Sequence, residues 1–339
     1  MRFETVTSAT NAKIRHLLTL QEKSRARREE GLFVVEGRRE LGHCLDAGFI
    51  PRTVFVCGSI LPAEDRERLL GAASTANPDL NVIEIPDHLY AKVAYREGTE
   101  GILAEVCCRY PGLDDLALPE NPLIIVLESV EKPGNLGAVL RSADAAGADA
   151  VILCDPLTDL YNPNLIRASL GGIFTNRVVA APGEEVISWL KAHGIRILTA
   201  QLQDSLPYYD TPMTGPTALV MGTESTGLTD PWRKAADAHI RIPMLGRLDS
   251  LNVSVSAAIL LFVHQPVLTT EEVVDKETGK KKKVKKNATD PRDGHELTAK
   301  EAIAMKLLQN ALSGDIKAAQ FVMEQERIAK QMEILKKKK

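Results

Sequence analysis

The sequence predicts an α/β protein: a mostly parallel sheet in its second half, a smaller α/β unit before it and a helical tail after it. Three observations carry this prediction. From residue 123 onward, short apolar runs alternate with amphipathic stretches in a strand, turn, helix rhythm, and that rhythm with short connections builds parallel sheets covered by helices. The first of these runs, LIIVLESV, opens on five apolar residues in succession, as strands buried on both faces do. Beyond Pro266 apolar periodicity stops and lysine runs take over.

The elements follow in order. NAKIRHLLTLQEKSRARR (11–28) has helical apolar spacing, GLFVVEG (31–37) is a β-branched strand, and RRELGHCLDAG (38–48) is a helix closed by Gly48. TVFVC, NVIEI and GILAEVCC are further strands, which completes a unit over 1–109. YPGLDDLALPENP (110–122) is short, polar and rich in Pro and Asp, a linker. Within 123–267 the strands are LIIVLESV, DAVILCD, IRILTAQ, TALVMG and AHIRIPM, with helices at GNLGAVLRSADAAG, GEEVISWLKAHG and from Leu251 to about His264. The stretch 268–297 lacks periodicity and is expected to be a basic disordered linker. Residues 298–339 read as a helical appendage, with Thr298 and Glu301 spaced as a capping box.

Composition narrows the function. The 339 residues are 44% apolar and 26% charged, ordinary for a globular protein of about two domains. The sequence has no apolar run of the roughly 18–20 residues a membrane span needs, and its first residues lack a signal-peptide core, so the cytoplasm is expected. Five irregularly spaced cysteines argue against a disulfide framework or a zinc site. Net charge is −3, but KSRARR (23–28) and EGRRE (36–40) concentrate arginines, among them Arg25, Arg27, Arg28 and Arg38. These are either solvated surface or phosphate contacts. The lysines of the tail carry the same two readings.

The chemistry gathers at three strand ends: ESVEKPGNLGAVLR, MGTESTGL and IPMLGRLDSLNVS. Ligands of open parallel sheets collect outside the C-terminal strand ends, so three polar, glycine-bearing loops there make one composite site. Taken singly each is bland. Asn135 would cap a helix, two glycines spaced as in GTESTG occur widely, and Ser250 would cap the last helix. A nucleotide-binding reading of GNLGAVLRSADAAG fails because the Gly-x-Gly-x-x-Gly spacing is absent.

Together the loops resemble the SpoU (TrmH-like) family of RNA ribose 2′-O-methyltransferases in the SPOUT superfamily. Its first motif is matched by Asn135-x-Gly137-x-x-x-Arg141 and its second by Gly222-x-Glu224-x-x-Gly227. Ile242-Pro243-Met244-x-Gly246 and Ser250-Leu251-Asn252-Val253-Ser254 match the third. The stretch TSATNAKIRHLLTL…RREEGLFVVEG is similar to the RNA substrate-binding domain, a ribosomal-protein-like α/β sandwich, often fused ahead of this enzyme.

The resemblance implies a trefoil-knotted domain, a homodimer packed through it, no metal, and S-adenosylmethionine as methyl donor. Gly222, Ile242 and Leu251 would surround its adenine and ribose. Gly222 and Gly227 would allow close approach, and Met244 and Leu251 would supply apolar walls. Asn135, Arg141, Glu224, Ser250 and Asn252 would be the catalytic set, with Asn135 orienting Arg141 and Glu224 either pairing with it or bracing the second loop. In the family the matching arginine is proposed to accept the 2′-hydroxyl proton. A guanidinium keeps its proton at ordinary pH, so a phosphate or substrate clamp suits it better. NPNLIRASLGGIF (162–174) resembles a further family segment, in which Arg167 and Ser169 are either phosphate contacts or part of a plain amphipathic helix. The expected substrate is 23S ribosomal RNA. The alternatives are transfer RNA, or an inactive RNA-binding protein of the same fold.

Overall fold

The computed structural model describes residues 1–95, 100–223, 226–244, 246–247, 250–264, 268–274 and 281–287. The appendage expected over 298–339 lies outside them, as does Glu224.

The first sheet is built from β1 (Arg2–Thr5), β2 (Leu32–Glu36), β3 (Pro51–Val56), β4 (Asn81–Glu84) and β5 (Ile102–Cys107), in the order β1-β4-β3-β5-β2. β1, β4 and β3 run parallel, while β5 is antiparallel to both β3 and β2. Strand alternation sends Phe55, Ile83 and Leu103 to one face, where they meet Ile14, Leu17 and Leu20 of the first helix.

The expected single helix over 11–28 is two: α1 (Ala12–Glu22) and α2 (Ser24–Glu30), broken where Lys23 turns extended at φ −111°. Asn11 caps α1 by accepting from the Lys13 amide at 2.9 Å. The break folds α2 back so that the Arg27 guanidinium donates to the Leu20 and Gln21 carbonyls, acceptors that the end of α1 leaves open. α3 (Arg38–Asp46), α4 (Ala63–Ala76) and α5 (Asp87–Val93) complete the unit.

The second sheet holds β6 (Leu123–Glu128), β7 (Ala150–Cys154), β8 (Val178–Ala181), β9 (Arg196–Ala200), β10 (Leu206–Pro207), β11 (Thr217–Met221) and β12 (Ala238–Arg241). Their order is β10-β12-β9-β11-β6-β7-β8, and every pairing is parallel. β8 and β10 add to the five strands expected. Both are edge strands of two to four residues, too short to carry an apolar signature. The helices are α6 (Pro133–Ala146), α7 (Pro163–Ala168), α8 (Gly172–Thr175), α9 (Gly183–Ala192), α10 (Asp230–Ala235) and α11 (Val253–His264). No helix among the described residues is long and apolar enough to cross a membrane.

The two sheets share a packed boundary. Phe33 of β2 stacks on Tyr161 at 4.2 Å between centroids, and Phe49 meets Phe174 of α8 edge-on at 5.3 Å. Arg27, buried at 3% side-chain exposure, pairs with Asp159 at 2.7 Å across the same boundary. The connecting segment 110–122 is no bare tether, since Leu113 enters the core of the second sheet with Leu116 and Leu118 beside it. The basic stretch expected to be disordered contains an antiparallel hairpin instead, β13 (Leu268–Val274) with β14 (Lys281–Asn287). Its register sets Leu268 opposite Asn287 and Val274 opposite Lys281.

Candidate active site

Because the second sheet is parallel, all of its strands end at one edge. The chain leaves β6 through β7 and β8 on one side, then returns to build β9 to β12 on the other, so the direction reverses between β6 and β11. Crevices at such reversal points are where open α/β sheets bind ligands. The loops after β6 and β11 are therefore neighbours, and β9 separates β11 from β12.

Glu128, the last residue of β6 and 5% exposed, ties the first two loops together. Its carboxylate accepts from the Thr229 amide at 2.9 Å and the Thr229 hydroxyl at 2.6 Å. Sequence reading passed over it as the end of an apolar run. The signal available was a lone carboxylate closing a buried strand.

The second loop folds on itself through a Thr223–Gly227 bridge, with the Gly227 amide donating to the Thr223 carbonyl at 3.1 Å. A Cβ on Gly222 would lie 2.2 Å from the Gly227 carbonyl oxygen, so Gly222 is demanded by the loop's own backbone. Gly227 is demanded by its φ of +68°. The close approach to a ligand expected of these glycines would be a second use, on a turn that already excludes side chains.

The third loop leaves β12 through half-buried Ile242, Pro243 and Met244 and reaches exposed Ser250, Leu251 and Asn252. Asn252, not Ser250, caps α11: its Oδ1 accepts from the Ser254 amide at 2.9 Å and the Ser254 hydroxyl at 2.6 Å. Its Nδ2 donates to Asn135 Oδ1 at 3.1 Å. One side chain thus starts the last helix and reaches the first motif.

Asn135 was expected to cap α6. It lies instead in the first turn, after Lys132 as N-cap and Pro133 at the first helical position, where a missing N–H costs nothing. Gly137 faces α7, where a Cβ would come within 2.5 Å of the Ala168 Cβ, so it serves helix packing. Arg141 is exposed on α6. Six helical residues separate it from Asn135, about 9 Å along the axis and about 240° around it. Asn135 therefore does not hold it directly.

Of the expected RNA contacts, two are structural. Arg27 is consumed by Asp159 and the α1 carbonyls. Ser169 is buried, its hydroxyl donating to the Ile166 carbonyl at 3.0 Å and accepting from the Ile173 amide at 3.3 Å. Arg38 is engaged by Asp65 at 2.6 Å and Glu100 at 3.6 Å, which neutralises much of its pull on phosphate. Arg25 pairs with Glu29 along α2 at 2.6 Å, both exposed, a weak pairing that phosphate can displace. Arg28 and Arg167 point to solvent.

Gln201, just past β9 and so between the second and third loops, was not singled out in the sequence. Its amide N–H donates to the Ile240 carbonyl at 3.0 Å and its Nε2 to the Gln203 carbonyl at 2.9 Å. Its Oε1 is buried and has no partner among the described residues. An unmet buried acceptor costs about 1–3 kcal/mol, and a ligand bearing amino or hydroxyl donors would relieve it. An adenosyl group has both. No cluster of three His, Cys, Asp or Glu side chains among the described residues suits a metal ion.

The chain is similar to known proteins over most of its length. Residues 122–262 match the SpoU rRNA methylase family and residues 11–104 an MRM3-like substrate-binding domain. The chain is 30% identical over 257 residues to the Bacillus subtilis 23S rRNA (guanosine(2553)-2′-O)-methyltransferase RlmP, covering 76% of this chain and 97% of that one. It is 28% identical to the Streptomyces viridochromogenes 23S rRNA (uridine(2479)-2′-O)-methyltransferase, over 75% and 90% of the two chains. The crystal structure of an AdoMet-bound rRNA methyltransferase from Sinorhizobium meliloti superposes with a TM-score of 0.70 at 29% identity, covering 77% of this chain and 96% of that one. With one relative, 30% identical, matched along almost its whole length, this protein belongs to the SpoU rRNA methylase family.

Proposed function

We propose that this chain transfers the methyl group of S-adenosylmethionine to a ribose 2′-oxygen of 23S ribosomal RNA. The observation that carries the reading is the convergence of the motifs: Asn252 of the third loop bonds Asn135 of the first, and Thr229 after the second loop bonds Glu128 before the first. Relatives matched along most of their length act on 23S rRNA, which favours it over transfer RNA.

When bound, S-adenosylmethionine supplies a sulfonium-activated methyl group, so the protein must supply alignment and a route for one proton. Gly222, Ile242, Met244 and Leu251 would line the adenosyl site, and Gln201 Oε1 would accept a hydrogen bond from its amino or hydroxyl groups. The Asn135–Asn252 pair fixes the entrance of α6 against that of α11. Arg141, exposed on α6, is free to meet the RNA and clamp a phosphate beside the reacting ribose, holding the 2′-oxygen in line. Ser250 and Glu224 are assigned to the same site on their motifs alone.

The trefoil knot and a homodimer packed through it belong to this reading. α11 supports the dimer. It is apolar from Ala257 to Val263, and Val255 and Phe262 stand 46% exposed each, on one face seven residues apart. The adenosyl site is tested by Gly222→Ala. We expect S-adenosylmethionine affinity to fall by at least about tenfold by calorimetry, because the added Cβ displaces the Gly227 carbonyl; unchanged affinity would remove this loop from the site. The reaction is tested by mapping 2′-O-methyl positions in ribosomal and transfer RNA from cells with and without the gene. One 23S position should lose its methyl group. A change confined to transfer RNA would overturn the substrate, and no change at all would overturn the activity.

A further inference from the structure

On the first sheet, away from the strand ends just described, Asn81 of β4, Thr53 of β3 and Glu105 of β5 stand directly opposite one another across three neighbouring strands. With Ile83 beneath and Lys13 and His16 of α1 beside them, they line a cavity of about 270 Å³. Glu105 is 4% exposed, an expensive place for a carboxylate without a task. His16 bridges it to Glu30: Nδ1 lies 2.8 Å from Glu105 and Nε2 lies 2.5 Å from Glu30. A ring with a carboxylate on each nitrogen can donate to both only as imidazolium. Burial works against that charge, but the two carboxylates outweigh it and raise the histidine above its ordinary value. Lys13 is taken up by Glu4.

Charge decides the ligand class. The two cations of the lining are both engaged, Lys13 by Glu4 and His16 by Glu30 and Glu105, so the lining itself offers a phosphate no unpaired cation. It suits a neutral planar group with hydrogen-bond donors, an apolar face for Ile83 and room for one ring system. Most of the lining falls within residues 11–104, the span matching a substrate-binding domain. We propose that this cavity receives one unpaired guanine of the RNA substrate, read on its Watson–Crick edge by Glu105 and Asn81.

A carboxylate only accepts, and guanine alone among the four bases offers it two adjacent donors, N1–H and the 2-amino group. Adenine and cytosine would set a ring acceptor against the carboxylate, and uracil offers one N–H between two carbonyls. Asn81, in the same lining, would donate its amide to guanine O6. Single-stranded RNA is commonly read in this way, by bases splayed out and bonded along an edge.

The inference rests on RNA being the substrate, and its test separates the two claims. Full-length protein is titrated with the heptamers UUUNUUU, where N is G, A, C, U or inosine, at fixed salt. The G heptamer should bind about tenfold more tightly than the U heptamer. Inosine, lacking the 2-amino group, should fall between them. Glu105→Gln, which keeps size and an acceptor for His16, and Asn81→Ala should each erase most of the preference while S-adenosylmethionine affinity stays unchanged. Equal binding of all heptamers by the wild type, or a preference that survives both substitutions, overturns the proposal. If rRNA methylation holds while guanine preference is absent, the cavity proposal alone falls. If guanine preference is present and lost in the variants while no RNA is methylated, the cavity stands and the methyl-transfer reading falls.

Discussion

Replacing Arg141 with alanine should lower methyl transfer to RNA by about two to three orders of magnitude and leave S-adenosylmethionine affinity and thermal stability unchanged. The side chain is exposed on α6, so its loss opens no cavity. It sits two turns beyond Asn135, away from the loops assigned to the adenosyl group. What it can lose is a charge-assisted grip on the RNA backbone. Arg141→Lys distinguishes clamp from base. A clamp keeps part of its function as a point charge, with a pH–rate profile parallel to the wild type. A residue that removes the proton would give lysine a profile displaced toward its own ionisation. Near-normal turnover in Arg141→Ala, measured with saturating cofactor, would remove this residue from the mechanism.

Arg27→Ala should destabilise the protein by about 3–5 kcal/mol, read from denaturant midpoints. The substitution strands Asp159, at 15% side-chain exposure, without its partner and removes donors from the last carbonyls of α1. That is a large part of a total stability of about 5–15 kcal/mol. Arg27→Met combined with Asp159→Leu should recover most of the loss, because the double variant leaves no charge buried alone. RNA affinity of that folded double variant should match the wild type, since Arg27 does not face solvent. A loss below about 1 kcal/mol in Arg27→Ala would show that the buried pair does not hold the two sheets together.

These two arginines show what was legible in the sequence. The alternation after residue 123 was read correctly as a parallel sheet, because buried parallel strands write themselves as apolar runs. The three loops at the strand ends were read as one site, and the structure links Asn135 to Asn252 and Glu128 to Thr229. Arg27 was misplaced because a basic run looks the same whether it faces water or folds inward. Only the break at Lys23, invisible to helical periodicity, turns Arg27 toward Asp159. Ser169 was misplaced for a similar reason: its hydroxyl serves a tight turn between α7 and α8, and turn hydroxyls share the composition of phosphate loops. Ser250 and Asn252 compete for one cap within three residues, and propensity ranks them alike. Gln201 and Glu128 carry no motif. Their importance comes from standing where buried strands end beside neighbours distant in sequence.

The bond between Asn135 and Asn252 joins residues 117 positions apart. A ribosome adding about 5–20 residues per second therefore needs roughly 6–23 s after making one asparagine before the other exists. The last strand of the first sheet ends at Cys107, but the buried Arg27 must wait for Asp159 to be made. Joining the first loop to the third comes later still, so the candidate site would arrive late in synthesis and all at once.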